Sequence, residues 1–181
     1  MNIIHSNKID MIKNLLNLNE EKIESLCQII LKTSKLNKIY CIGNGGSASI
    51  SNHFVCDLVK GMNYDKNFKL FSLSSNIEVI TAISNDIKYE DIFSFQIEKY
   101  AEKNDILIAI SSSGKSKNIV KGIKAAKKKL MKIVSLTGFN GGEVIKLSDF
   151  NININSKNYG VIEDMHSFIM HLVCQKLHAK D

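Results

Sequence analysis

Arginine, proline and tryptophan are all missing from the 181-residue sequence, while lysine and asparagine abound. That bias is the mark of an AT-rich coding sequence, so the formal net charge of +6 does not signal a selected basic surface. Direct reading of base edges leans on arginine, and its absence points away from nucleic acid as a partner. No apolar run approaches the roughly 20 residues that a membrane span needs. The N-terminus, MNIIHSNKIDMIKNLL, is amphipathic, with neither an apolar signal core nor a small-residue cleavage site. The expectation is a cytoplasmic protein that engages neither nucleic acid nor membrane. The four cysteines, Cys27, Cys41, Cys56 and Cys174, lack C-x-x-C spacing and are expected to be buried free thiols. Repeats, low-complexity blocks and flexible linkers are absent too. The whole chain, 1–181, therefore reads as one domain with a well-formed core.

Two amphipathic stretches open the chain. Ile4, Ile9, Ile12, Leu15 and Leu16 form one helical stripe, and Ile23, Leu26, Cys27, Ile30 and Leu31 form another. Asn19-Glu20-Glu21 between them predicts a helix start. This extension, residues 1–36, is expected to serve oligomerisation. Short apolar strands follow at 38–43, 69–74, 105–111, 132–138 and 149–155, the last alternating as an edge strand does. Helices are predicted at 47–60, 77–84, 91–102, after Ser116, and over 160–177. The fold class is α/β: an open, mainly parallel sheet flanked by helices, with a helical N-terminal extension. Ligands of such sheets bind beyond the carboxyl ends of the strands, where this chain concentrates glycine and serine.

Four features carry chemistry. Gly43-Asn44-Gly45-Gly46-Ser47 follows the first strand and can turn backbone N–H groups toward an anion or sugar oxygens. Its spacing is not that of the dinucleotide-binding fingerprint. Ser111-Ser112-Ser113-Gly114-Lys115-Ser116 follows the most apolar strand and offers four hydroxyls at a helix start, suited to a phosphate. It does not have the Walker spacing. Of the lysines beyond it, only Lys115 and Lys117 lie close enough to add field; the others form a solvated helix face. His53 and Asp57, four apart, share one helix face and can reach a common metal. The closing helix carries Glu163, Asp164, His166 and His171. Glu163 and His171 are eight residues apart, about 12 Å along a straight helix, so one chain offers both to one metal only if the helix begins late; otherwise they come from different subunits. Glu163 with His166 is the easier local pair, and spacing alone leaves both histidines open.

Taken in order, CIGNGGSAS, HFVCDLVKG, AISNDIKYEDIFS, ILIAISSSGKSKNIVKGIKAA, IVSLTGFNGG and IEDMHSFIMHLV make the chain resemble the phosphoheptose isomerases of the sugar isomerase (SIS) fold over nearly its whole length. The resemblance implies a homotetramer with active sites at subunit contacts, acting on a sugar phosphate. It implies substrate contacts at Asn44, Gly45, Gly46, Asn85, Asp86, Ser111, Ser112, Ser113 and Ser116, with Asp57 and Glu163 also facing the sugar. It implies one Zn2+ held by His53, Asp57, Glu163 and His171, which selects His171 over His166, and Asp57 with His171 as the acid–base pair. Two matches are inexact: the family usually has Glu at the position of Asp57 and Gln at that of Glu163. The reaction implied is conversion of sedoheptulose 7-phosphate to D-glycero-D-manno-heptose 7-phosphate, for lipopolysaccharide or capsule heptose synthesis. The rival readings are a non-catalytic SIS protein that binds a replication initiator or another partner, and an isomerase for another sugar phosphate. Asp57 opposes the first, since those binding proteins lack an acid there.

Overall fold

Five short runs of the sequence rich in apolar residues become strands. In the computed structural model, which describes residues 2–33, 35–61 and 69–179, these are β1 (Lys38–Ile42), β2 (Lys69–Ser72), β3 (Ile106–Ser111), β4 (Lys132–Gly138) and β5 (Phe150–Ile154). They form one parallel sheet in the order β2-β1-β3-β4-β5. Every residue of β3 is buried, as its unbroken apolar run predicts for a central strand. The alternating β5 takes the edge.

Eight α-helices are described: α1 (Ile3–Leu16), α2 (Glu20–Leu31), α3 (Gly46–Gly61), α4 (Ile77–Asp86), α5 (Ile92–Tyr100), α6 (Lys117–Lys128), α7 (Gly142–Leu147) and α8 (Tyr159–His178). Asparagine starts four of them. Asn2, Asn19, Asn76 and Asn158 each accept a backbone N–H from the first turn, the usual service of an N-cap. The α2 cap falls where Asn19-Glu20-Glu21 predicted it. Apolar faces of α2, α3 and α8 cover one side of the sheet, and those of α4 to α7 cover the other.

The two N-terminal helices differ. The α2 stripe of Ile23, Leu26, Cys27 and Ile30 is buried in the main core. On α1, Ile4, Ile9, Ile12, Leu15 and Leu16 are exposed, so of these two helices α1 is the one that keeps an uncovered apolar face in a single chain. Met1 and Ser34 of the 1–36 segment, and residues 180–181, lie outside the described residues. Two short elements were not foreseen: α7, and a single 3-10 turn at Tyr89–Asp91.

The strand order places a topological switch between β1 and β3, whose following connections leave toward opposite faces. A crevice opens at such a point beyond the strand carboxyl ends. Both the glycine turn after β1 and the serine loop after β3 border it.

Candidate active site

The serine loop is built from its backbone outward. Ser111 and Ser112 are buried, and Ser113 and Ser116 half-buried. Gly114 has φ +63°, and a Cβ there would lie 2.0 Å from the Gly141 carbonyl oxygen. Only glycine lets the loop settle this closely on the segment after β4. The Gly114 carbonyl accepts N–H bonds from Glu143 (2.9 Å) and Val144 (3.1 Å), so α7 pins the loop. The Ser112 carbonyl accepts from the Gly138 N–H at 2.8 Å.

Around the loop lies a cavity of about 170 Å³ lined by Asn44, Ser47, Ile110, Ser111, Ser112, Ser113, Ser116, Tyr159 and Glu163. The Ser112 hydroxyl is buried there without a hydrogen-bond partner among the described residues. An unmatched buried hydroxyl is costly, and one that lines a cavity is suited to a ligand oxygen. A larger hollow of about 650 Å³ lies at the other end of the sheet, beside Ile106 and Lys132 at the starts of β3 and β4. Volume favours that hollow and chemistry the serine cavity. Chemistry decides, because the hollow holds no metal-binding set among the described residues, whereas the serine cavity holds the buried Ser112 hydroxyl that lacks a partner among them.

Asn44 braces the crevice. Its side-chain carbonyl accepts from Asn118 Nδ2 (2.8 Å) and the Tyr89 hydroxyl (3.0 Å), and its amide donates to Asn118 Oδ1 (2.9 Å). This ties the glycine turn to α6 and to the 3-10 turn, and leaves one amide hydrogen of Asn44 without a partner among the described residues. Gly45 and Gly46 are exposed beside it. A Cβ on Gly46 would lie 2.2 Å from a Glu163 carboxylate oxygen, so Glu163 sits over the start of α3. An anion is favoured there by the helix dipole.

His53, Asp57 and His171 converge at a second place. Their ligand atoms all lie within 4.8 Å of one another. Asp57 receives His53 Nε2 on one oxygen at 3.2 Å and faces His171 Nε2 with the other at 3.8 Å, while the two imidazoles meet edge to face. The i,i+4 spacing on α3 presents His53 and Asp57 together, and α8 delivers His171 from alongside. Two imidazoles and a carboxylate form a donor set suited to zinc. Glu163 is not brought to this cluster within one chain; it lies in the serine cavity.

The remaining sequence candidates separate clearly. His166 does not pair with Glu163: it is fully buried and donates Nε2–H to the Thr137 carbonyl at 3.1 Å. Asn85 and Asp86 end α4 on the surface, hydrogen-bonded to each other at 2.8 Å. Lys117 does not add its field to the loop, because its ammonium is paired with Glu90 at 3.0 Å. That pairing holds the Glu90 carboxyl below its usual range. Cys27, Cys41 and Cys174 are buried as expected, but Cys56 is exposed. Burial pushes the Cys41 and Cys174 thiols up to about 12, which leaves them unreactive. Ser47, Tyr89, Asn118 and Tyr159 were not foreseen. Ser47 had a visible signal in its place directly after the glycine turn; the others reach the site only through tertiary packing.

A model of the SIS domain family matches residues 6–138. A Helicobacter pylori phosphoheptose isomerase is 39% identical over 163 residues, covering 90% of this chain and 85% of its own. A Thermoplasma acidophilum protein that bears the name probable phosphoheptose isomerase is 38% identical over 167 residues, 91% of this chain and 92% of its own. The solved structure of phosphoheptose isomerase GmhA from Neisseria gonorrhoeae superposes with a TM-score of 0.88 at 25% identity, covering 97% of this chain and 95% of that one.

Proposed function

Because the chain belongs to the SIS domain family, and within it to the phosphoheptose isomerases, we propose that it converts sedoheptulose 7-phosphate to D-glycero-D-manno-heptose 7-phosphate in a zinc-dependent aldose–ketose isomerisation serving lipopolysaccharide or capsule heptose synthesis. The observation that carries this reading is Asp57 with its two carboxylate oxygens turned to Nε2 of His53 and Nε2 of His171. An enediolate reaction needs such an acid–base set, and a protein that merely binds sugar phosphates does not.

The phosphate takes the serine loop, where neutral hydroxyls and loop amides supply donors. Asn44, Gly45, Gly46, Asn85 and Asp86 face the sugar hydroxyls. Asp57 removes a proton from C1 and returns it to C2. His171 carries the matching proton from O1 to O2, so atoms balance across the enediolate. Binding energy from the remote phosphate positions the reacting carbons.

His53, Asp57 and His171 would hold the zinc, with Glu163 as fourth ligand. When bound, zinc polarises the carbonyl and lowers the energy of the enediolate. Glu163 stands about 12 Å from His171 along one α8, which supports a site completed between subunits of a homotetramer. The uncovered apolar face of α1 supports assembly as well.

The test is purified protein incubated with several ketose phosphates, with zinc and after chelation. Turnover of the seven-carbon ketose phosphate that falls on chelation and returns with zinc is the expected result. Protein that binds zinc and turns over no ketose phosphate would defeat the reading.

A further inference from the structure

Of the three histidines on α8, His171 belongs to the Asp57 cluster, His178 is the last residue of the helix, and His166 has no part in the chemistry above. The His166 ring is fully buried, with Nε2 3.1 Å from the Thr137 carbonyl oxygen. A carbonyl can only accept, so Nε2 carries the proton. Burial keeps the ring neutral by pushing its pKa down to about 4.

The Thr137 carbonyl and the Gly138 N–H are the two ends of one planar peptide group. That N–H donates to the Ser112 carbonyl at 2.8 Å, inside the serine loop. Thr137 also stands opposite Ser111 in the β3–β4 register. Ile162, one turn before His166, fills the space over the same peptide: a Cβ on Gly138 would lie 2.4 Å from Ile162 Cδ1. Thus α8 packs against the Gly138 end and hydrogen-bonds the Thr137 end. Hydrogen bonds linked through one amide polarise each other in the same sense.

We propose that His166 is a positioning residue that fixes the plane of the Thr137–Gly138 peptide and, through it, the Ser112 carbonyl and the geometry of the serine loop. The consequence for phosphate rests on the function proposed above; the consequence for the loop does not.

Two substitutions separate the hydrogen bond from bulk. His166→Gln places an amide N–H near the position of Nε2, whereas His166→Leu fills the space without a donor. Amide exchange at Gly138 and titration with inorganic phosphate are measured on the intact protein, and 15N NMR of the wild-type ring reads its tautomer. The wild-type ring should carry its proton on Nε2. His166→Leu should speed Gly138 exchange and weaken phosphate binding by about tenfold each, as loss of one buried hydrogen bond implies. His166→Gln should stay close to wild type in both, and exchange at Ile108 in mid-sheet should not change in either variant.

A ring protonated on Nδ1, a Leu variant with unchanged Gly138 exchange, or a Gln variant no better than Leu would overturn the proposal. Should the Leu variant fail to fold, the tautomer and the Gln variant decide. Wild-type protein that binds no phosphate would remove the substrate reading, while Gly138 exchange would still decide the role of His166.

Discussion

The serine cavity and the Asp57 cluster are built on opposite plans. The cavity is made of backbone: a loop fixed by Gly114, by N–H bonds from α7 and by the Gly138 N–H, with Ser111 and Ser112 buried. The cluster is made of side chains on two helix faces, with His53 exposed and Asp57 and His171 half-buried. One is complete within the chain and fits an anion that must be held. The other is open on one side and fits a partner that arrives, a substrate or a ligand from another subunit.

The largest effect should come from the open side. Asp57→Asn is nearly isosteric and removes both a proton acceptor and a negative charge. General base catalysis contributes about 10²–10⁴-fold, and kcat should fall in that range with the fold and assembly retained. Asp57→Glu should keep measurable activity. Full activity in the Asn variant would move the base to His171 and erase the contrast between the two sites. Reassembling Asp57→Asn chains with Ser111→Ala chains should recover activity if the two halves of a site come from different subunits.

Acid tests the closed side. The His166 pKa is lowered from 6.5 to about 4 in the folded protein, so the unfolded chain binds the extra proton first as pH falls. Its contribution is therefore complete above about pH 6.5 and is lost on the way down to about pH 4, a difference of about 3 kcal/mol. Denaturant titrations of wild type and His166→Gln across that window should diverge, the wild type losing more stability.

How much of this was legible in the sequence depends on the range of the interaction. The apolar run of β3, the alternation of β5 and the Asn19 cap are local patterns, and each gave the right element. The six-residue α7 starts within the Gly141-Gly142 pair and is too short to show a helical period. Asn118 looked like one polar residue on a lysine-rich helix; its bond to Asn44 spans 74 positions and leaves no local trace. Spacing left the choice between His166 and His171 open, and only the resemblance selected His171; the structure shows the signal that separates them. His166 falls in register with the buried Ile162, Met165, Ile169, Met170 and Val173, which marks it as a core residue.

Smaller effects refine the contrast. Ser111→Ala or Ser113→Ala should each weaken phosphate binding by about 1–3 kcal/mol, read by calorimetry, with zinc content unchanged. Gly45→Ala should cost least. Its φ of +52° strains a side chain, yet nothing lies within 4 Å of the added carbon. The expected loss is about 1 kcal/mol of stability in thermal unfolding.

The most direct measurement follows the C1 protons of sedoheptulose 7-phosphate by NMR in deuterium oxide, with zinc-loaded wild type and zinc-loaded Asp57→Asn. Wild type should form the aldose phosphate and exchange a C1 proton for solvent deuterium, and the Asn variant should do neither at a comparable rate. Wild-type protein with full zinc and bound phosphate that leaves the C1 protons untouched and forms no aldose would contradict the account.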